Sequence, residues 1–482
     1  MCGIFATTND QDSAQTILEG LKLLEYRGYD SWGIAVKGKQ KVLAQKKVGK
    51  ISDSKTNLPK SKLGIGHTRW ATHCKVNETN AHPHVDCSGK LTLVHNGIVD
   101  NWQQLKNKLN DKHKINSQTD SEIVVHLIEQ NLKKEKDLLK AVRKTVKQTK
   151  GVNAFLVLHQ DYPYLVAAKT GSPIVIGYNK GNHLVASDIA SLLPQTNKII
   201  HLKDDQIATI SPEDVNVYDL HTGKKAEYKV ETIDWKPQQA EKGDHRHFMI
   251  KEIYQQPQLI EKIIQDKLPS TQKLADQIKK VENVFTVACG TAAYAALAGQ
   301  YFFSRIGKKQ INPAIGSEFY YHSDFLNPNS LCIALSQSGE TIDTIQSVRH
   351  ANKKGSKTFS LINTRGSTLD RISDESIFLD AGPEKAVAST KAFTTKLSLL
   401  LMAAYQYVDK PEKAKDQLKR AVKSSKKVLH ETSVKKIKDI AKSIKDSPSI
   451  FVLGKGQSYP AALEVALKIK EISYIHAEGF PS

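Results

Sequence analysis

The sequence predicts an α/β protein that contains two different kinds of domain. In the first half, short β-branched runs separated by turn residues alternate with helical segments, which indicates packed sheets covered by helices. Beyond residue 247 the pattern changes to strand, turn and helix in succession, which predicts a parallel, doubly wound sheet with ligands at the carboxyl ends of its strands. Residues 237–247 between the two patterns are mostly polar and charged, so we expect a linker there.

In the first half, β-branched runs predict strands, and apolar residues three to four positions apart predict helices. The predicted strands are 2–8, 32–36, 42–46, 63–67, 91–95, 152–159, 164–169, 174–178 and 183–187. The predicted helices are 12–24, 121–132 and 137–148. Together they define a first domain over residues 2–236.

In the second half, each predicted strand is followed by a turn or a helix. The predicted strands are 284–288, 331–335, 358–362, 376–379 and 449–453. Helices are predicted over 389–407 and 460–472, and a charged helical stretch over 411–445. We therefore expect a first lobe over residues 248–430 and the start of a second over 431–482. A lobe as large as the first needs roughly a hundred more residues, so we expect the second to be incomplete.

Composition excludes several functional classes. The chain has 482 residues and a formal net charge of +20, but its lysines are interleaved with acidic residues at helical spacing, which indicates solvated helix faces. With no nucleic-acid-binding motif we expect no nucleic-acid partner, and with no run of 18 apolar residues we expect no membrane span. The five cysteines are scattered without CxxC spacing, and the N-terminus lacks a signal-peptide pattern. We therefore predict a cytoplasmic protein without disulfides or a metal site.

The second residue is a candidate nucleophile. If Met1 is removed, Cys2 carries both a thiol and a free α-amine, and the amine, with an ordinary pKa of about 7.7–8.0, can take the thiol proton. An isolated Met-Cys more often opens a buried strand. The nucleophile hypothesis therefore depends on motifs further along the chain.

Five such motifs accompany Cys2. They are Arg27-Gly28-Tyr29-Asp30-Ser31, His67-Thr68-Arg69-Trp70-Ala71-Thr72-His73, Asn80-Ala81-His82-Pro83-His84, His95-Asn96-Gly97 and Thr119-Asp120-Ser121-Glu122. With Cys2 they resemble the class II glutamine amidotransferase domain, over residues 2 to about 235. The resemblance implies a glutaminase of the N-terminal-nucleophile αββα fold.

The resemblance also implies a role for each matched residue. Cys2 is the nucleophile, and the Asn96 amide and the Gly97 backbone N–H form the oxyanion hole. Arg69 pairs with the glutamine carboxylate and Asp120 with its ammonium group. The loop that closes over glutamine contains Trp70, Thr72 and His73. Trp70 also gates the passage of ammonia.

The chemistry is consistent with these roles. An amide beside a backbone N–H suits a developing oxyanion, and arginine can hold a carboxylate through two hydrogen bonds. An isolated Asn96-Gly97 would more often be a hairpin turn. His82 and His84 lack a third ligand at suitable spacing, so we interpret them as structural.

One position departs from the family pattern. Cys74 stands where the family has glycine; if that position needs a positive φ, the cysteine costs about 1 kcal/mol.

A second candidate site begins at Ser336-Gln337-Ser338-Gly339-Glu340-Thr341, between a predicted strand and helix. Its hydroxyls, amide and free backbone N–H groups suit a phosphate monoester, although a simple helix cap is an equally good interpretation of the isolated motif. With Cys289-Gly290-Thr291, Val387–Phe393 and 461–478, it resembles the sugar isomerase (SIS) lobes of the glucosamine-6-phosphate synthase family. That resemblance covers nearly the whole chain and implies doubly wound, parallel-sheet SIS lobes.

The second resemblance implies further site residues. The phosphate is held by Ser336, Gln337, Ser338 and Thr341, and the sugar is lined by Val387 and Ser389. Glu471 is the base that moves a proton between sugar C1 and C2, and Lys468 is an active-site cation. With Glu464 these two share one helix face, where a surface ion-pair ladder is the alternative. Ala292 stands where many members have serine, which would remove one contact.

The family implied by both resemblances converts glutamine and fructose 6-phosphate to glutamate and glucosamine 6-phosphate, without a cofactor, and we expect a homodimer. Two alternatives remain open. One is a glutaminase with an inert sugar domain, because the family's ring-opening histidine and Schiff-base lysine have no match here. The other is a non-catalytic sugar-phosphate-binding protein. A phosphoribosyl-pyrophosphate amidotransferase is disfavoured by the 336–341 motif.

Overall fold

The computed structural model describes residues 2–9, 11–110, 112–233 and 242–482, and the chain divides into two compact units, 1–239 and 240–482. The predicted linker lies partly outside the described residues, since 237–241 are not among them.

The first unit contains two antiparallel sheets. Its strands are β1 (Gly3–Thr7), β2 (Ser31–Lys37), β3 (Val42–Val48), β4 (Gly64–Arg69), β5 (His84–Val85), β6 (Leu91–Gly97), β7 (Asn153–His159), β8 (Leu165–Lys169), β9 (Val175–Gly177), β10 (Leu184–Ala186), β11 (Lys198–His201), β12 (Gln206–Ile210), β13 (Val215–Asp219), β14 (Lys225–Ala226) and β15 (Val230–Thr232). Its helices are α1 (Ser13–Lys22), α2 (Trp102–Lys106), α3 (Asp120–Glu135) and α4 (Leu138–Val146). The strand order is β15-β11-β9-β10-β1-β4-β2-β3 in one sheet and β14-β13-β12-β8-β7-β6-β5 in the other.

The first unit has four layers, which are two sheets and the helices on their outer faces. Apolar residues of β1, β2 and β4 pack against those of β6, β7 and β8 to form the middle of the sandwich. On the outer faces, α1 covers the first sheet and α3 and α4 cover the second. These layers confirm the predicted αββα arrangement, in which each sheet packs one face against the other sheet and its opposite face against helices.

The second unit contains a parallel sheet with helices on both faces. Its strands are β16 (Asn283–Ala288), β17 (Asn312–Ile315), β18 (Ser330–Leu335), β19 (Lys357–Ile362), β20 (Glu375–Phe378), β21 (Ser449–Gly454) and β22 (His476–Pro481). Its helices are α5 (Phe248–Asp266), α6 (Leu268–Lys279), α7 (Thr291–Phe302), α8 (Ile342–Lys353), α9 (Thr368–Ile372), α10 (Lys391–Tyr407), α11 (Pro411–Val428), α12 (Glu431–Ile444) and α13 (Tyr459–Ser473). The main sheet has the order β17-β16-β18-β19-β20 and every pairing in it is parallel.

Burial on both faces explains the apolar strands of this unit. One face of the sheet packs against α5, α6, α7, α10 and α11, and the other against α8 and α9. The doubly wound prediction is therefore confirmed. β21 and β22 form a separate parallel pair, with α13 between them in sequence and in contact with α7.

Several elements went unpredicted. Strands β11 to β15 and β17 are only two to five residues long, and β22 includes two glycine or proline positions, so their periodicity is weak. The predicted helix 389–407 begins at Lys391, because the Glu384 carboxylate accepts the backbone N–H groups of Thr390 and Ala392. Within the described ranges, no helix is both long and apolar enough to cross a bilayer.

Candidate active sites

Cys2 lies immediately before β1, against the first residue after β4. Its Sγ accepts a hydrogen bond from the Trp70 backbone N–H at 3.3 Å and donates to the Trp70 carbonyl at 3.6 Å. Burial raises the pKa of the Cys2 thiol, and the Trp70 N–H only partly opposes this. The thiol is therefore protonated at neutral pH and needs a base to act as a nucleophile.

The Asn96 amide lies beside the same residue. Asn96 Nδ2 donates to the Cys2 carbonyl at 3.1 Å, and its Oδ1 lies 3.0 Å from His67 Nε2. Burial lowers the pKa of His67 to about 3, so the ring is neutral and Nε2–H is the donor that orients the amide. Asn96 thus faces Cys2 with its N–H₂ rather than its oxygen.

Gly97 ends β6 rather than forming the hairpin turn that an isolated Asn-Gly favours. Its φ is 129°, and a Cβ built there would lie 2.1 Å from the Val152 carbonyl oxygen. A side chain cannot be accommodated without moving backbone, which explains the glycine.

The predicted glutamine-binding residues converge on one loop. Arg69, 4% exposed at the end of β4, donates from Nη2 to the His73 carbonyl at 2.7 Å. His73 Nε2 lies 3.5 Å from Asp120 Oδ1, and Asp120 Oδ2 accepts the Val99 N–H at 2.7 Å. The loop residue Thr72 is exposed, and its hydroxyl lies 3.2 Å from His73 Nδ1. Arg69 and Asp120 are therefore joined through His73.

Cys74 adopts the left-handed backbone conformation in which glycine is favoured. Its φ is 65°, and its Sγ donates to the Gln118 carbonyl at 3.1 Å. Asn80 also links the loop at Cys74 and Lys75 to Gln118, since its Nδ2 donates to the Lys75 carbonyl and to Gln118 Oε1. The loop is held in place although its backbone is strained at Cys74.

Four buried histidines near Cys2, namely His67, His82, His84 and His95, are neutral structural groups. His82 stacks on His67 with ring centroids 4.2 Å apart and accepts the His95 N–H, while His84 Nε2 lies 3.0 Å from the Thr119 hydroxyl. Burial lowers the pKa of His84 to about 3 and the pKa of His82 and His95 below their ordinary value. Each ring is engaged by a hydrogen bond or a stacking partner, in agreement with the structural interpretation of His82 and His84.

The 336–341 segment connects β18 to α8 as a hydroxyl-lined turn. Ser336 Oγ lies 2.9 Å from Thr341 Oγ1 and accepts the Gly339 N–H, and Ser338 Oγ accepts the Glu340 N–H. Gln337 contributes its carbonyl to the Asn363 N–H. The turn follows the carboxyl end of a central parallel strand, where ligands of such sheets bind.

Other predicted sugar-site residues reach the same edge of the sheet from different elements. Val387 and Ser389 lie between β20 and α10; Val387 is 53% exposed, and Ser389 Oγ donates to Glu384 Oε2 at 2.9 Å. Because all five strands are parallel, the segments after β16, β18 and β20 lie at one edge. Ala292 is buried in the first turn of α7, after β16.

Helix α13 carries the predicted acid–base pair on one face. Lys468 Nζ lies 2.5 Å from Glu471 Oε2 and 3.4 Å from Glu464 Oε1, and donates to the Thr291 hydroxyl at 2.8 Å. Thr291 in turn donates to Glu464 Oε1 at 3.1 Å. Lys468 and Glu464 are largely buried, so this is not the exposed ion-pair ladder of the alternative interpretation.

Desolvation perturbs this cluster. Burial raises the pKa of Glu464 to about 7, against the opposing effect of Lys468. A carboxyl that titrates near neutral pH beside an ammonium is suited to proton transfer.

Three residues of these clusters were not predicted from the sequence as site residues. Thr291 joins α7 to α13, Glu384 orients Ser389, and Glu252 accepts the backbone N–H groups of Lys385 and Ala386 with a pKa that burial raises to about 7. Thr291 and Glu384 stand within or beside motifs that the sequence did indicate. Nothing in the sequence around Glu252 distinguishes it from other helical glutamates.

Comparisons with known proteins match a different family to each of the two units. The family description "Glutamine amidotransferase domain" matches residues 49–223, and "SIS domain" matches residues 277–405 and 443–482. The chain is 40% identical over 494 aligned positions to the glutamine–fructose-6-phosphate aminotransferase (isomerizing) of Pyrococcus horikoshii, with 99% of this chain and 82% of that protein covered. It is 37% identical over 501 positions to the protein of the same name from Thermus thermophilus, with 100% and 82% covered. A solved C-terminal domain of glucosamine-fructose-6-phosphate aminotransferase from Francisella tularensis is 33% identical, with a TM-score of 0.44, over 50% of this chain and 71% of that one.

Proposed function

The chain belongs to the glutamine–fructose-6-phosphate aminotransferase (isomerizing) family, and from that premise we propose that it makes glucosamine 6-phosphate and glutamate from fructose 6-phosphate and glutamine. The observation that carries the proposal is the pairing of two sites on one chain. The first unit has a buried thiol beside an amide donor, and the second has a hydroxyl-lined turn at the carboxyl edge of a parallel sheet. The first suits amide cleavage and the second suits a phosphorylated sugar.

In the proposed first half-reaction, Cys2 Sγ attacks the carboxamide carbon of glutamine. The base is the Cys2 α-amine, exposed when Met1 is removed. His67 and His95 are poor bases, because burial lowers the pKa of both rings and each ring is already engaged in hydrogen bonds. Asn96 Nδ2 and the Gly97 N–H stabilise the oxyanion, ammonia leaves, and water hydrolyses the thioester to glutamate. Arg69 and Asp120 hold the two charged groups of the glutamine backbone.

Glutamine enters beneath the loop of Trp70, Thr72 and His73 in this proposal. His73 is exposed yet reaches Asp120, so closure of the loop would bring a contact to both ends of the substrate. The Trp70 ring packs on Tyr29 with centroids 5.2 Å apart, and the Trp70 backbone N–H contacts the Cys2 thiol.

In the proposed second half-reaction, ammonia adds to the open-chain C2 carbonyl of fructose 6-phosphate, and the carbonyl oxygen leaves as water to give a C2 imine. Transfer of a proton from C1 to C2 then gives the 2-amino aldehyde. Ser336, Gln337, Ser338 and Thr341 hold the phosphate, and Val387 and Ser389 line the sugar. Glu471 moves the proton between C1 and C2, with Lys468 as the neighbouring cation. Lys468 lies within hydrogen-bond distance of Glu471, which supports a shared role.

The test measures both products. Glutamate and glucosamine 6-phosphate are quantified with glutamine alone, with both substrates, and in Cys2→Ala. We expect equal amounts of both products when both substrates are present, and neither product from glutamine in Cys2→Ala. Glutamate without glucosamine 6-phosphate would establish the glutaminase alternative, and sugar-phosphate binding with neither product would establish the binding-protein alternative.

Three further parts of the proposal have their own measurements. The intact mass tests removal of Met1, and a 6-diazo-5-oxo-norleucine adduct mapped by peptide analysis tests Cys2. Sedimentation tests the proposed homodimer. A cytoplasmic setting is also proposed, since the five cysteines are free thiols.

A further inference from the structure

Four potential metal ligands of the first unit converge at a place that the proposed chemistry does not use. They are Cys87, in the turn between β5 and β6; His113, before α3; and His126 and Glu129, one turn apart on α3. One ligand atom from each lies within 4.8 Å of all the others. The four residues show no metal-binding spacing in the sequence, because they come from three separate segments.

The distances match one central ion. Cys87 Sγ lies 3.6 Å from His126 Nδ1 and 3.9 Å from His113 Nδ1. Glu129 Oε2 lies 3.1 Å from His113 Nδ1 and 3.5 Å from His126 Nδ1. Tetrahedral zinc with bonds of about 2.3 Å to sulfur and about 2.0–2.1 Å to nitrogen and oxygen places ligand atoms about 3.6 Å apart for S–N and about 3.3 Å apart for N–O.

One carboxylate oxygen is shared by three groups of this cluster. Both imidazole Nδ1 atoms and the Cys87 backbone N–H face the same carboxylate oxygen, Glu129 Oε2. A cation at the centre satisfies the thiolate, the two nitrogens and the oxygen together.

The surroundings supply the outer contacts that a metal site needs. The Lys114 N–H donates to Cys87 Sγ at 3.4 Å. His126 Nε2 faces Glu122 Oε1 at 3.7 Å, which is a carboxylate behind a ligating imidazole. Lys133 Nζ lies 2.8 Å from Glu129 Oε1 and leaves Oε2 to the centre.

We propose that Cys87, His113, His126 and Glu129 bind one Zn²⁺ as a structural site. One thiolate, two imidazoles and one carboxylate fill a tetrahedral shell with protein ligands, so no position is left for substrate. The ion would join the β5–β6 turn and the segment before α3 to α3 itself. Helix α3 begins at Asp120, so the ion would also stiffen the support of that residue.

The test uses the full chain stripped of metal with a chelator. ZnCl₂ is titrated in competition with a chromophoric chelator, and the zinc content of the purified protein is measured by mass spectrometry. We expect one tightly bound zinc per chain and a higher melting temperature on binding. In Cys87→Ser and His126→Gln the affinity should fall at least about 100-fold, since outer contacts alone are worth about 10–100-fold.

Two control variants separate this site from other thiols. Cys74→Ser removes another thiol of the same unit, and Cys2→Ala removes a thiol that can chelate together with a free amine; both should retain the zinc. With Co²⁺ as a probe, a thiolate-to-metal charge-transfer band should disappear in Cys87→Ser alone. Zinc affinity that is equal in Cys87→Ser and the unmodified protein, or a charge-transfer band lost only in Cys2→Ala, would overturn the proposal.

Discussion

Replacing Asn96 by alanine should slow glutamine hydrolysis without unfolding the first unit. Asn96 Nδ2 is 3.1 Å from the Cys2 carbonyl, and His67 holds the amide in that orientation. Loss of one preorganised oxyanion donor costs about 2.7–4 kcal/mol of transition-state stabilisation. The turnover number for glutamate release should therefore fall about 100- to 1000-fold, with little change in KM, because the donor acts on charge that develops only in the transition state.

The effect on stability should be much smaller. His67 Nε2 also lies 3.1 Å from the His95 carbonyl, so the ring keeps a partner when the Asn96 oxygen is lost. One neutral hydrogen bond is worth about 1 kcal/mol. The urea midpoint should shift accordingly, and Asn216→Ala on β13, in the same unit, serves as the matched control for both measurements.

The assay is steady-state release of glutamate, with active enzyme counted by the 6-diazo-5-oxo-norleucine adduct. Asn96→Asp adds a sharper comparison, because it keeps the shape but places negative charge beside the oxyanion and should be at least as slow as Asn96→Ala. A turnover number in Asn96→Ala that stays close to that of the unmodified enzyme would refute the reasoning.

Three further predictions concern backbone strain, space and protonation. Cys74→Gly relieves a φ of 65° and should be more stable than Cys74→Ala by up to about 1 kcal/mol in urea unfolding; equal midpoints would contradict the strain argument. Gly339→Ala places a Cβ 2.0 Å from Ser367 Oγ and should abolish protection of the second unit by fructose 6-phosphate in a thermal-shift assay, whereas Gly355→Ala, also at positive φ but with its nearest neighbour at 3.4 Å, should retain it. His67 and His84 have a folded-state pKa of about 3, below the unfolded value of about 6.5. As the pH falls below about 6.5, the unfolded chain therefore binds protons that the folded chain does not, and stability is lost until the pH approaches 3. Each of the two histidines should lower the free energy of unfolding by roughly 1.4 kcal/mol between about pH 7.5 and about pH 5.5. Tryptophan fluorescence isolates this loss, because all four tryptophans precede residue 240; an unchanged urea midpoint would refute it.

Both sheets of the first unit were predictable where strands are long and apolar. β1, β6 and β7 match the predicted strands to within two residues, because a run of five or more apolar and β-branched residues bounded by turn residues is typical of a buried strand. Strands β11 to β15 were missed, since a strand of two to five residues gains its pairing from neighbours rather than from its own pattern.

The candidate site residues divide in a similar way. Residues that form contiguous motifs, such as Ser336–Thr341 and Arg69–His73, could be named from the sequence, because a turn and its side chains are specified locally. Thr291 was not assigned a role, since its partner Glu464 lies on another helix far along the chain. Glu384 was not assigned one either, although its partner Ser389 is only five residues away.

The sequence by itself determined the change from packed sheets covered by helices to a parallel, doubly wound sheet and the identity of the candidate nucleophile, because periodicity and short motifs are local properties. Only the tertiary structure decided that Cys74 has a positive φ, that Glu464 titrates near neutral pH, and that Cys87, His113, His126 and Glu129 meet around one point. Those facts depend on burial and on distances between segments far apart in the chain. Spacing along the chain does not encode either quantity.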